Sequence, residues 1–404
     1  MRRETSARQA LTGRRGRARL ARLLAAPLLA GLTVTVTAGA TRAASPAAAS
    51  TVSGVQLRLP RPTGPHAVGR DILHLVDKHR KDPWVPEAGA RQLMVSMYYP
   101  ARSGTGGPAP YMTVEEARSL LQRKAQGADV PAETVSGTRT YAHTNARPIG
   151  GRFPLVVLSP GLGLPRASLT GLAEDLASRD YVVALVDHTY ESSGTSFPDG
   201  RMLTCAPICD QPKPPEGGLG AITRSRTKDV SFVIDQLTGR HPAWRHARMI
   251  APKRIGMAGH SIGGEAGAAT MAADKRVRAG ANLDGTFHAP VPATGLGKRP
   301  FLLLGSQSDH SPGKDHTWDR DWARLDGWKR WLTLAGAVHD SFTDLSLLRK
   351  QLGVSSPGEL SAQRALELTR AYVGAFFDLH LKGEKQPLLD GPAPANPGVA
   401  FQNP

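Results

Sequence analysis

Cysteine is almost missing: the 404 residues contain two, Cys205 and Cys209. That excludes a disulfide scaffold, and with no second pair of soft ligands nearby it speaks against a structural zinc site. The chain also lacks an H-E-x-x-H motif and any His, Asp and Glu set spaced for a metal, so metal chemistry is not expected. Internal repeats are absent, as is any sequence resembling a nucleic-acid module. Beyond the N-terminal region, no apolar run reaches the roughly 18 residues of a membrane span. Acidic residues are scarce at the start, where one (Glu4) faces eight arginines within the first 22 positions.

The segment behind those arginines explains the imbalance. Leu23 to Val36 is apolar and rich in small residues, and Ala38-Gly39-Ala40 comes after it. Basic, apolar and small-residue segments in that order are the pattern of a secretory signal, so residues 1–40 are expected to be removed and the mature protein to be secreted. The alternative is a retained anchor helix, for which the apolar run is short. Arg14-Arg15 raises a twin-arginine export route, but the residues after them fit it poorly and Sec-type export is favoured. Without residues 1–40 the net charge falls from +17 to +10, because eight arginines and one glutamate leave with them. In an exported chain the two cysteines read as a disulfide closing a short Pro-rich loop. In the chain-entropy model so short a loop contributes about 2 kcal/mol.

Residues 41–60 are rich in Ala, Ser and Thr and read as a flexible leader, and 391–404 as an irregular tail. Between them, residues 61–390 are expected to form a single domain. Arg91 to Ala101 mixes apolar and β-favouring residues and reads as a strand. Thr113 and Glu116 form a capping box ahead of a helical pattern. From Phe153 onward, short apolar runs (FPLVVLS, YVVALVDH, RIGMAG, VRAGANLD, PFLLLGSQSD, RWLTLAG) alternate with helical segments. Such alternation predicts an α/β protein with a mostly parallel sheet and helices on both faces.

One stretch carries chemistry. In RIGMAGHSIGGEAG, Ser261 sits among Gly259, Gly263 and Gly264, between a short apolar strand and a helix-forming segment. A G-x-S-x-G motif in that setting reads as a nucleophile elbow, whose sharp turn leaves no room for neighbouring β-carbons, the plain alternative being a Gly-rich loop leading into an Ala-rich helix. A serine hydroxyl needs a base to take its proton, and the base needs an orienting carboxylate. In this arrangement the chain order is Ser, Asp, His. Asp284 ends the next apolar strand, and His339 lies just past the RWLTLAG strand. Both therefore fall at the carboxyl edge of the sheet, where open α/β folds gather their sites. Asp309, after the PFLLLGSQ run, is a rival for the acid.

The segments SPGLG, LASRDYVVALVDH, GHSIGG, ANLDG and GAVHDSFTD, with their spacing, resemble the α/β-hydrolase family of plasma-type platelet-activating-factor acetylhydrolases and their actinobacterial lipase-like relatives. The resemblance runs from about Arg91 to the last helix. It implies Ser261 as nucleophile, Asp284 as acid and His339 as base, with the backbone N–H groups of Leu162 and Ile262 as the oxyanion hole. Its spacing favours Asp284 over Asp309. The sequence departs from the animal enzymes at Pro160, where they carry a histidine. The resemblance also implies a cofactor-independent esterase acting through an acyl-enzyme on lipids or short-acyl esters, including phospholipids with a short sn-2 chain. Polyester or amide hydrolysis uses the same machinery, and a non-catalytic binding protein on this fold is the remaining alternative.

Other features have plainer readings. His260, beside the serine on a tight turn, points elsewhere and is expected to pack or orient. His188 and Glu191 lie on the same sheet edge, either lining the pocket or holding structure together. Trp318, Trp322 and Leu325 share one helix face. They are expected to pack on the sheet, with a lipid-interface anchor flanked by Arg320, Arg324 and Lys329 as the alternative. The basic run Arg240 to Arg254 reads as a solvated surface. The partners expected are therefore an ester or lipid substrate with peripheral lipid contact, no nucleic acid and no obligate protein partner.

Overall fold

The computed structural model describes residues 55–124, 129–355 and 358–404. The expected signal segment, 1–40, lies outside them. The strands are β1 (Ala67–Lys81), β2 (Ala90–Ala101), β3 (Gly107–Pro108), β4 (Ala142–Thr144), β5 (Phe153–Ser159), β6 (Val182–His188), β7 (Thr195–Ser196), β8 (Met202–Leu203), β9 (Ile250–His260), β10 (Val277–Leu283), β11 (Phe301–Ser306), β12 (Lys329–Leu334) and β13 (Val399–Phe401). The α-helices are α1 (Val114–Lys124), α2 (Ala132–Ser136), α3 (Thr170–Ser178), α4 (Ala206–Cys209), α5 (Gly218–Thr238), α6 (Ile262–Ala273), α7 (Gln307–His310), α8 (His316–Arg324), α9 (Asp344–Gln351) and α10 (Ala362–Phe377).

Eleven strands form one sheet in the order β13-β12-β11-β10-β9-β5-β6-β2-β1-β4-β3. The six from β12 to β6 run parallel, while β2 joins β6, and β13 joins β12, antiparallel. This is an α/β-hydrolase fold. Successive side chains of a strand point to opposite faces, and each parallel strand serves two cores. Leu155, Val157, Val182 and Ala184 pack with Val230 and Val233 of α5, Ala266 of α6 and Trp318 of α8. Val156, Leu158, Val183 and Leu185 pack with Leu172 and Leu176 of α3 and with Tyr372 and Phe376 of α10. Continuous apolar runs without alternation are what burial on both faces requires. Fully burying each such Val or Leu contributes about 1.5–3 kcal/mol.

Two expectations need correction. The leader is not free up to residue 60: Leu57 and Leu59 are buried in a satellite core with Tyr111, Leu120 and Leu345, and Leu59 donates its N–H to Arg139. Two leucines in alternate positions, with hydrogen bonds from Gln56 to Gly137 and between Arg58 and Gln351, dock the end of this segment. The tail is not irregular throughout, since β13 pairs with β12 and Trp322 Nε1 donates to the Pro404 carbonyl at 2.7 Å. The expectation for Trp318, Trp322 and Leu325 holds: they are buried, at 0, 8 and 4% exposure. That face of α8 packs on the sheet and is closed to a lipid surface. The capping box is present, with Thr113 and Glu116 exchanging two 3.1 Å bonds.

Candidate active site

Ser261 connects β9 to α6 with φ of +56°, a region that side-chain-bearing residues rarely adopt. The glycines around it answer to space. A β-carbon at Gly259 would overlap Gly263 and the Ser159 carbonyl, one at Gly263 the same carbonyl, and one at Gly264 the Asn282 amide. Strain of about 1–3 kcal/mol at such a residue is held in place by this packing and by Ser261 N–H donating to the Leu283 carbonyl at 2.8 Å. The strand-turn-helix elbow expected of the sequence is therefore formed, and Ser261 is half-buried at its tip.

Asp284 comes directly after β10 with φ of +58°, a second strained residue on the same edge. The Asn282 side chain fixes the turn by bonding both the carbonyl and the N–H of Gly285, at 2.7 and 2.9 Å. Gly285 lies so close to the Ser261 carbonyl that a β-carbon there would overlap it. The Asp284 carboxylate is 1% exposed. Its Oδ2 accepts from His339 Nδ1 at 2.7 Å, which leaves Nε2 of His339 as the basic nitrogen. Its Oδ1 accepts from Ser306 N–H at 2.6 Å and from His310 Nδ1 at 2.7 Å. Burial alone would raise the Asp284 pKa, but the two imidazoles hold it well below the usual carboxylate range.

His339 opens the 3-10 turn His339–Phe342 and its side chain is 49% exposed. His260 steadies it from below: Nε2 of His260 donates to the His339 carbonyl at 2.8 Å, and the rings lie 4.5 Å apart. Burial, then the charge of His339, pushes the His260 pKa down to about 4, so it is a neutral support. Asp309 stands elsewhere, exposed and accepting from Ser306 Oγ at 3.0 Å. The structure thus joins His339 to Asp284 and not to Asp309. It draws no hydrogen bond between Ser261 Oγ and His339, the link that tightens when substrate binds in such sites.

The SPGLG loop packs on the elbow, since a β-carbon at Gly161 would sit 3.3 Å from Ser261 Cβ. Among the described residues, the N–H groups of Leu162 and Ile262 donate to no protein acceptor. Their side chains belong to an apolar cluster with Cys205, Ile208, Ile222 and Trp84. The Cys205–Cys209 disulfide is formed, with the Cα atoms 5.3 Å apart.

His188 and Glu191 belong to a buried ionic network behind this loop. Arg91 bonds Asp82, Glu191 and Asp229, at 2.8, 3.1 and 2.7 Å. Arg226 bonds Glu191 Oε2 at 2.7 Å and the Pro160 carbonyl. The Glu191 carbonyl accepts from Gly163 N–H at 2.8 Å. The loop is held on both sides of Leu162. Neither Arg226 nor His310 stands out in the sequence. For His310 the one available signal is its place right after the rival acid. Among the described residues, no cluster of His, Cys, Asp and Glu could hold a metal.

The chain matches the sequence model of a family described as platelet-activating factor acetylhydrolase, isoform II, over residues 51–200 and 243–387. It belongs to that family. It is 30% identical over 380 residues to a probable 1-alkyl-2-acetylglycerophosphocholine esterase of Arthroderma benhamiae, covering 85% of this chain and 93% of that one. The platelet-activating factor acetylhydrolase of Gallus gallus is 21% identical over 407 residues, covering 83 and 88%. A solved structure, the ferulic acid esterase from Streptomyces cinnamoneus, superposes with a TM-score of 0.77 at 43% identity. That match covers 85% of this chain and 99% of the other. Membership places this acetylhydrolase-family chain among the hydrolases of carboxylic esters.

Proposed function

We propose that the protein is an exported serine esterase with Ser261 as nucleophile, His339 as general base and Asp284 as the orienting acid. The observation that carries this reading is the 2.7 Å bond from His339 Nδ1 to Asp284 Oδ2 beside a strained elbow serine. Ser261 Oγ attacks the ester carbonyl as Nε2 of His339 takes its proton, and the imidazolium that forms is stabilised by Asp284. The oxyanion is received by Leu162 and Ile262 N–H, each such donor being worth about 3 kcal/mol. His339 then protonates the departing alcohol, and in a second step activates water to release the acid from Ser261.

Two acyl classes have support. The Arthroderma and Gallus relatives favour short acyl groups on phospholipids, while the 43% identical ferulic acid esterase favours an aromatic acyl group. The apolar cluster around Leu162 and Ile262 suits either. The test compares p-nitrophenyl esters of increasing chain length, methyl ferulate and a 2-acetyl phospholipid, with fluorophosphonate labelling located by mass spectrometry. Turnover together with labelling at Ser261 is expected. No turnover of any ester and no labelling there would leave a binding protein. Export is tested by the N-terminus of protein recovered from the culture medium, which begins near residue 41 if residues 1–40 are a signal.

A further inference from the structure

Asp284 has two imidazole partners, and the triad reading employs only one. His310 ends α7 and is 4% exposed. Its Nδ1 lies 2.7 Å from Asp284 Oδ1, and its Nε2 lies 3.4 Å from Asp315 Oδ2. Both ring nitrogens therefore face carboxylates. A neutral imidazole has one N–H and would turn a lone pair toward one of them, so the arrangement suits the doubly protonated ring. The ring is built in place. Trp318 stacks on it at a centroid distance of 4.3 Å, and Trp331 Nε1 donates to the His310 carbonyl at 2.6 Å. A β-carbon at Gly305 would meet His310 Cβ at 2.6 Å, so glycine lets the turn close.

We propose that His310 is a positioning residue of this site, a buried cation that clamps the Asp284 carboxylate from the side opposite His339 and sets how strongly His339 holds its proton. The proposal rests on the Ser261, His339 and Asp284 reading. The charged groups facing the ring are Asp284 at the end of β10, Asp315 at the start of α8, and His339 across Asp284. Asp309 on its own turn is engaged by Ser306, and Arg320 of α8 is paired with Asp321. Asp315 is fixed independently, since it caps α8 through Thr317 N–H at 2.8 Å and accepts from Thr286 Oγ1 at 2.9 Å. Burial opposes charge on His310, but the bonds to Asp284 and Asp315 outweigh it, and its pKa is pushed up to about 9. The raised value fixes the sign: the clamp is complete below the unfolded histidine pKa of about 6.5 and is lost as pH rises through about 9.

The experiment is the pH dependence of kcat and kcat/KM for the wild type, His310→Gln and Asp315→Asn. The wild type is expected to lose activity above about pH 9. His310→Gln lacks that alkaline limb and turns over about tenfold more slowly. Its acid limb moves up by roughly 0.5–1 pH unit, because a positive charge that opposed protonation of His339 is gone. Asp315→Asn keeps the helix cap, since Asn also caps, and moves the alkaline limb down by about one unit. It serves as the test even if the His310 variant does not fold. Profiles of both variants superimposable on the wild type overturn the proposal, as does a wild type with no alkaline limb. Ser261→Ala separates the two levels. If it retains turnover the triad reading itself fails, whereas if it is dead and the profiles superimpose, only the role of His310 is lost.

Discussion

The molecule contains two Ser, His, Asp arrangements of similar local geometry and opposite character. In one, Ser159 Oγ lies 2.9 Å from His188 Nε2, and His188 Nδ1 lies 2.8 Å from Asp229 Oδ2. All three are at most 1% exposed. In the other, His339 bonds Asp284 at the same kind of distance, but the histidine is half exposed and the serine link is open. The buried set is the better hydrogen-bonded. Ser159 also accepts from Arg226 at 3.2 Å, and Asp229 also receives Arg91 and Arg80. Burial, then the charge of Arg226, lowers the His188 pKa, so a neutral ring passes one proton-donor direction from Ser159 to Asp229. All three side chains are hydrogen-bonded and buried away from solvent. A closed network holds a loop, whereas the set proposed to react is left incomplete beside unpaired N–H donors.

The contrast can be broken at the serines first. Ser261→Ala should lower kcat by about 10⁶-fold and abolish fluorophosphonate labelling. Ser159→Ala should keep turnover within about tenfold and one label per chain, at a stability loss of about 1–3 kcal/mol from its stranded partners. A label on Ser159, or turnover that survives Ser261→Ala, would reverse the assignment. The acids come next. Asp284→Asn should cost about 10⁴-fold in kcat through the wrong His339 tautomer, while Asp309→Asn should stay near the wild-type rate. The reverse outcome would transfer the role to Asp309.

Asp229→Asn sharpens the same comparison through stability. Breaking a buried pair on one side costs about 3–5 kcal/mol, read as a shift in the denaturant midpoint at constant slope. Burial would raise the Asp229 pKa, but Arg91 and His188 hold it far below the normal range. The stability it contributes is therefore complete above its unfolded pKa of about 3.9 and is lost as pH falls below it. The gap between variant and wild type should shrink in that acid window, and a gap constant with pH would remove Asp229 from the stabilising charges.

Legibility tracks the range of the interactions. The elbow, Asp284 and His339 each lie at the end of a short apolar run, so local pattern locates them, and the parallel strands are plain because both faces are buried. β1 escapes such a reading, since much of DILHLVDKHRK alternates with solvent and leaves Ile72 and Val76 exposed. β13 is three residues long and exists only because β12 offers an edge. His310 and the Arg91–Arg226 network depend on partners far apart in sequence: Asp284 for the one, Glu191 and Asp229 for the other. Charge pairing at such separations leaves no periodic trace. His260, expected to pack or orient, does both.

The glycines at 259, 263, 264 and 285 touch mostly main chain, which cannot swing aside as a side chain can. For anyone redesigning acyl preference, this knot is closed territory, where even alanine would displace the Ser261 hydroxyl proposed to react. On the proposed reading, variation belongs in the apolar cluster of Leu162, Ile208, Ile222 and Ile262 beside the elbow. There side chains can be exchanged without moving the frame that supports the chemistry.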